Sequence, residues 1–210
     1  MLLPITSRAA QVTIGLDTVY SGTTPAGPAP WATLTFTDVA PDQVLLTLSG
    51  SGLVGSEFIS DFAFNYDPSK LLSDLSFTLE SGVPFISVST GASSEKAGPI
   101  HTFDVSLDYA TANQGNRFGA DAISTILITA PVGDQLSAMD FDFSTLFNNL
   151  PSFAAAQVQS IGNGQSGWIE GSSVSTLQGS PVPEPASMLL MGLGLAGLSL
   201  GRRLRKAKTA

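Results

Sequence analysis

Phe103-Asp104-Val105-Ser106-Leu107-Asp108-Tyr109 puts an apolar side chain at each odd position and a polar one at each even position. A period of two is that of an extended strand with one buried and one solvated face. Leu75-Ser76-Phe77-Thr78-Leu79, Ala32-Thr33-Leu34-Thr35-Phe36 and Val44-Leu45-Leu46-Thr47-Leu48 carry the same signal. Phe58, Phe62, Phe64 and Tyr66 fall on one face of a further strand, 123–129 and 155–161 read as late strands, and the first begins near Gln11. Gly22-Thr23-Thr24-Pro25, Gly50-Ser51-Gly52, Asp67-Pro68-Ser69, Gly91-Ala92-Ser93 and Asn113-Gln114-Gly115-Asn116 are turn signals between them. Roughly nine or ten strands at such spacing predict an all-β chain, a single antiparallel β-sandwich or jelly roll. Only 135–150 suggests short helical turns, and no long amphipathic helix precedes residue 186, which argues against a parallel α/β sheet.

Composition narrows the chemistry. The 210 residues contain no cysteine and one histidine, His101, with a formal charge of −8. All 17 acids lie in residues 1–185 with only Arg8, Lys70, Lys96 and Arg117 against them; residues 186–210 hold five bases and no acid. Without cysteine there is no thiolate metal site, disulfide or cysteine nucleophile. One histidine cannot supply a His-based zinc cluster. The acidic body repels phosphate backbones, so no nucleic-acid partner is expected.

The last thirty residues read as three pieces. Pro181-Val182-Pro183-Glu184-Pro185 is stiff and extended, because each proline fixes φ and removes a donor. Residues 186–200 are uncharged and mostly apolar, and Arg202, Arg203, Arg205 and Lys206 belong to the basic cluster that follows. As a helix the fifteen-residue run spans about 22 Å, against roughly 30 Å of hydrocarbon, so it makes a marginal transmembrane anchor. The basic cluster would stay cytoplasmic and leave the acidic body outside.

Val182-Pro183-Glu184-Pro185, an apolar helix and an Arg-rich end together resemble the PEP-CTERM sorting signal of Gram-negative bacteria. The resemblance implies that Pro183, Glu184 and Pro185 are recognised by a membrane-embedded, transpeptidase-like exosortase. It further implies removal of the signal and delivery of the body to the cell surface or exopolysaccharide matrix. Residues 154–162 leading to Ser166-Gly167-Trp168-Ile169 also look like the closing region of PEP-CTERM ectodomains. The expected organisation is a signal-peptide remnant over 1–10, a β-sandwich over 11–171, a linker with the motif over 172–185, and a C-terminal transmembrane sorting helix with its basic tail over 186–210.

Candidate chemistry in the body is sparse. Asp104 and Asp108 sit on one strand face about 13 Å apart, too far to share an acid/base site. Asp140 and Asp142, if extended, lie about 7 Å apart and could hold a cation or form half a glycosidase pair, but solvated strand faces are the plainer account. His101 follows Pro99-Ile100 and is expected to face solvent at a strand entry. Ser93-Ser94-Glu95-Lys96 and Gly192-Leu193-Gly194-Leu195-Ala196-Gly197 match catalytic and dinucleotide-binding spacings without their structural context. Trp31 and Trp168, after Pro and Gly, are candidate stacking platforms for a glycan, core packing being the commoner fate of tryptophan. Together with the delivery that the PEP-CTERM resemblance implies, these observations predict a non-enzymatic surface or matrix protein without metal or cofactor, or alternatively a carbohydrate-binding module. Its expected partners are exosortase, the membrane before processing, and extracellular polysaccharide.

Overall fold

The computed structural model describes residues 9–112, 116–147 and 149–177. Residues 1–8, the Pro183-Glu184-Pro185 motif, the apolar run 186–200 and the basic residues Arg202, Arg203, Arg205 and Lys206 lie outside the described residues. In chain order the strands are β1 (Gln11–Leu16), β2 (Thr18–Gly22), β3 (Ala32–Ala40), β4 (Gln43–Ser49), β5 (Phe58–Phe64), β6 (Ser76–Gly82), β7 (Ser87–Ala97) and β8 (His101–Asp108). They continue with β9 (Phe118–Gly119), β10 (Ile123–Thr129), β11 (Thr145–Phe147), β12 (Leu150–Ser152), β13 (Ala154–Ile161), β14 (Gln165–Gly171) and β15 (Val174–Leu177). The helical content among the described residues is two 3-10 turns, Leu72–Asp74 and Ala138–Phe141, the second inside the segment where sequence suggested helical turns. No helix among the described residues is long and apolar enough to cross a membrane.

Every strand pairing among the described residues is antiparallel. One sheet has the order β15-β1-β3-β4-β10-β6 and the other β2-β14-β13-β5-β8-β7, with β9 also on β5 and β11-β12 a separate hairpin. The alternation in the sequence explains how they meet. Val12, Ile14 and Leu16 of β1, with Leu34, Phe36, Leu46 and Leu48, point inward from the first sheet. Phe62, Phe64, Val105, Leu107 and Val158 meet them from the second, all fully buried. Each such side chain contributes about 1.5–3 kcal/mol relative to exposure. The intervening positions of the first sheet make a polar outer row in which Thr13, Thr35, Thr47 and Thr125 are cross-strand partners. β-Branched threonine suits that half-exposed pleated surface.

The 103–109 stretch departs from uniform alternation at one place. Val105, Leu107 and Tyr109 enter the main core, but Phe103 joins a second small cluster with Ala63, Ala97 and Ala155. The carboxylate of Asp104 is the pivot: it accepts from the Tyr66 amide at 2.9 Å and from the Ser93 amide at 2.7 Å. β8 pairs with β5 only over Val105–Asp108, so 101–103 are free to pack beside the outer face of the second sheet. Gly91-Ala92-Ser93, expected as a turn, lies instead within β7 as an irregularity, the register jumping between Thr90 and Glu95. Ser93 has a positive φ of 49° and its amide is held by Asp104, which turns the local loop into part of the strand pair. A second revision concerns the linker. Val174–Leu177, read from sequence as its first part, is an edge strand paired with β1 from Ile14↔Val174 to Gln11↔Leu177.

Candidate functional site

One cross-strand row of the second sheet brings together polar, charged and aromatic residues from six strands. Ser21, Trp168, Gln157, Asp61, Asp108 and Ser87 are successive partners across β2, β14, β13, β5, β8 and β7. Directly opposed residues of antiparallel strands share a face, so the row runs from an indole through an amide to two carboxylates. Gln157 accepts from Ser60 Oγ at 3.1 Å, and Ser60 Oγ accepts in turn from Gln159 Nε2 at 2.8 Å. Ser87 Oγ donates to Asp108 at 2.6 Å, and Ser106 Oγ approaches Asp61 at 3.4 Å. Burial, then the Asp108 charge opposite, pushes the Asp61 carboxyl up to about 7.

Trp168 is half-buried, and the backbone of Gly98 lies against its ring: a Cβ at Gly98 would stand 3.1 Å from indole Cδ1 and Cγ. Gly98 also has φ +63°, so a side chain there meets both strain and collision. Tyr20 tilts against the same indole at 6.4 Å and donates its hydroxyl to the Ala97 carbonyl at 2.9 Å. Desolvation, then Glu170 and Asp61, raises the Tyr20 hydroxyl above its ordinary range. His101 corrects the sequence expectation. It is buried, not solvent-facing, with Nε2 3.0 Å from a Glu170 carboxylate oxygen and its ring edge-on to Tyr20 at 4.7 Å. The apolar Ala97–Phe103 bend packing on Ala63 and Ala155 is what removes it from water.

Trp31 is 6% exposed and belongs to the main core, with Nε1 donating to the Gly27 carbonyl at 2.7 Å. Its ring faces are therefore closed to stacking, and of the two tryptophans Trp168 is the more exposed. Asp104 and Asp108 do not converge: the first clamps backbone and the second belongs to the row. Asp140 and Asp142 are not an extended pair, because Ala138–Phe141 is helical. Asp140 caps that turn by accepting from the Ser137 amide at 2.9 Å and pairs with Lys70 Nζ at 2.6 Å. Burial raises the Asp142 carboxyl.

This use of acids as backbone clamps recurs. Asp38 accepts from the Ala138 amide, Asp42 from Gly133 and Leu136, Glu57 from Ala26 and Val54, and Asp67 from Ser69. Carboxylates are strong acceptors for amides whose carbonyl partners are lost in turns. The amides hold Asp42 and, with the Ser69 hydroxyl foremost, Asp67 below the usual carboxylate range. A cleft of about 280 Å³ at this end is lined by Tyr66, Lys70, Asp104, Phe143 and Thr145 among others. Its charged groups are already engaged: Asp104 with two amides, Asp67 with the Ser69 amide, and Lys70 with Asp140 and the Gln135 carbonyl. Among the described residues no group of three or more His, Asp or Glu is placed to hold a metal ion.

Sequence inspection overlooked Asp61 and Glu170. A lone carboxylate inside the apolar run Phe58–Phe64, and Glu170 two residues after Trp168 on the same strand face, were the available signals.

A family model for the PEP-CTERM protein-sorting motif matches residues 181–206. No curated protein and no solved structure was found to match the chain.

Proposed function

We propose that this chain, which carries a PEP-CTERM protein-sorting motif at residues 181–206, is an exosortase-processed exported protein. Its all-β body then serves at the cell surface or in the extracellular matrix as a non-enzymatic structural component. The matched motif carries the reading. It is supported by the charge split, with all the acids upstream of residue 186 and five bases after it. Before processing, the uncharged run 186–200 sits in the membrane and Arg202, Arg203, Arg205 and Lys206 hold the cytoplasmic side. The acids of the body support the structural role, since at least six of them are engaged as backbone acceptors: Asp38, Asp42, Glu57, Asp67, Asp104 and Asp140. Cell fractionation in the native host tests this. Glu184→Ala should leave full-length chain in the membrane fraction and strip it from the surface; normal maturation of that variant would remove the reading.

A second reading, glycan binding, is favoured by the Ser21–Trp168–Gln157–Asp61–Asp108–Ser87 row. An aromatic face beside amide and carboxylate acceptors is the chemistry that grips a sugar ring. Under this reading, pull-down on the host's extracellular polysaccharide weakens about tenfold or more with Trp168→Ala and is unchanged with Trp31→Phe. Equal retention of wild type and Trp168→Ala would leave the structural role alone.

A further inference from the structure

We propose that the outer face of the first sheet is an ice-binding surface, where an array of threonine side chains holds water in the order of an ice lattice. The proposal stands apart from the sorting reading and does not rest on it. It begins from a contrast between the sheets. The outward row of the second carries Trp168, Asp61 and Asp108. On the first, residues 11–16 of β1, 32–37 of β3, 43–49 of β4 and 123–129 of β10 contain no charged side chain. Their inward positions are buried, Phe36 among them, and the outward ones carry no aromatic ring.

These four strands are also regularly paired. Their registers run without a shift from Gln11↔Thr37 to Leu16↔Ala32, from Thr33↔Ser49 to Asp38↔Val44, and from Ile123↔Ser49 to Thr129↔Gln43. In the second sheet the β2–β14, β13–β14, β5–β13 and β7–β8 pairings each contain one. Unbroken register aligns Thr13, Thr35, Thr47 and Thr125 as one row across four strands, each of them half-buried. Thr33 and Thr37 flank Thr35 along β3. Hydroxyl and methyl groups therefore repeat in two directions, about 4.8 Å across the strands and about 6.7 Å along them. The first repeat lies close to the short repeat of hexagonal ice, the second somewhat below its long one. Sheet twist of about 20–25° per strand limits the match to neighbouring strands, so its centre is at Thr35 and Thr47.

The array is held before any ligand arrives. β-Branched threonine is stiff at χ1. The Thr13 and Thr35 hydroxyl oxygens lie 3.4 Å apart, and Thr37 Oγ1 accepts from Gln11 Nε2 at 3.1 Å. Little side-chain freedom is then lost on binding. Charge and chemistry choose the occupant. A charged partner would find no opposite charge here, and a sugar ring no aromatic face to stack on. A second copy would desolvate the hydroxyls and bring two acidic bodies together. An ice surface is neutral and offers hydrogen-bond donors and acceptors in a repeating lattice. Leu45 and Leu127, opposed to one another beside the row, add apolar surface that offers liquid water no hydrogen bonds.

Recrystallisation of ice in a frozen sucrose film tests the proposal with the purified full chain. The wild type should arrest crystal growth, and so should Gln165→Lys, which puts a lysine at an exposed position of β14 in the second sheet. Thr35→Lys and Thr47→Lys each set a charge in the middle of the array and should abolish the arrest. Thr35→Val/Thr47→Val keeps the shape, removes two hydroxyls and should lose most of it. A wild-type urea midpoint identifies the variants that are folded. Crystal growth unaffected by the wild type, or full arrest by any of these folded threonine variants, would overturn the proposal. So would a wild-type dimer in sedimentation that Thr35→Lys separates, without arrest of ice, because the face would then serve a second copy.

Discussion

Phe141→Ala is expected to destabilise the sandwich by about 3–5 kcal/mol. The ring stacks on Phe36 at 4.2 Å with 6° between planes and meets Phe64 at 5.9 Å and Tyr66 at 5.4 Å. It is fully buried, yet it belongs to a 3-10 turn and not to either sheet. The segment leading to it is held by Asp42 at the Gly133 and Leu136 amides and by Asp38 at the Ala138 amide. Truncation therefore removes the apolar plug from between the sheets and leaves those clamps holding a segment with no anchor. Urea unfolding of the wild type and of Phe141→Ala and Phe141→Leu measures it, with leucine costing less because it refills part of the cavity. A loss below about 1 kcal/mol for alanine would mean that the sheets close without this ring.

Asp61→Asn should stabilise the protein at pH 8 by a few kcal/mol and have little effect at pH 4. Asp61 lies opposite Asp108 on β8 and Gln157 on β13, with Glu95 of β7 also adding negative potential. Its carboxyl titrates at about 7 in the folded chain against 3.8 unfolded. The folded state thus binds the proton more tightly than the unfolded one. Stability from this group is fully present below pH 4 and is lost as pH rises through 7. Asparagine keeps the shape and removes the ionisation, so the variant loses that decline. Asp42 and Asp67, held low, act in the opposite sense and only below the ordinary carboxylate range, so the windows separate. Unfolding midpoints at pH 4, 6 and 8 decide it; an advantage that does not grow with pH would contradict the assignment.

Local periodicity made much of the fold legible. β1, β3, β4, β8, β10 and β13 each begin or run where alternation placed them, because one face of each is buried by the opposite sheet. What escaped was set by distant partners. Phe103 changes clusters because Asp104 binds amides at Tyr66 and Ser93. His101 is buried through Glu170, sixty-nine positions away, and through the aromatic bend beside it. β15 looked like linker because its Ser- and Thr-rich sequence has no apolar face of its own; its pairing is supplied by the backbone of β1. The outward row from Ser21 to Ser87 is a property of register between six strands, which spacing within any one of them cannot reveal. The sorting motif was legible for the opposite reason: it is contiguous, and its order of proline break, apolar run and basic end needs no tertiary context.

Under the proposed sorting, the acidic body is cargo and the C-terminal segment an address removed on delivery. Intact mass and C-terminal peptide mapping of the chain recovered from the cell surface decide it, the 210 residues together weighing 21.7 kDa. The surface product should have lost the apolar run 186–200 and the basic residues beyond it. A full-length chain at the surface would contradict it.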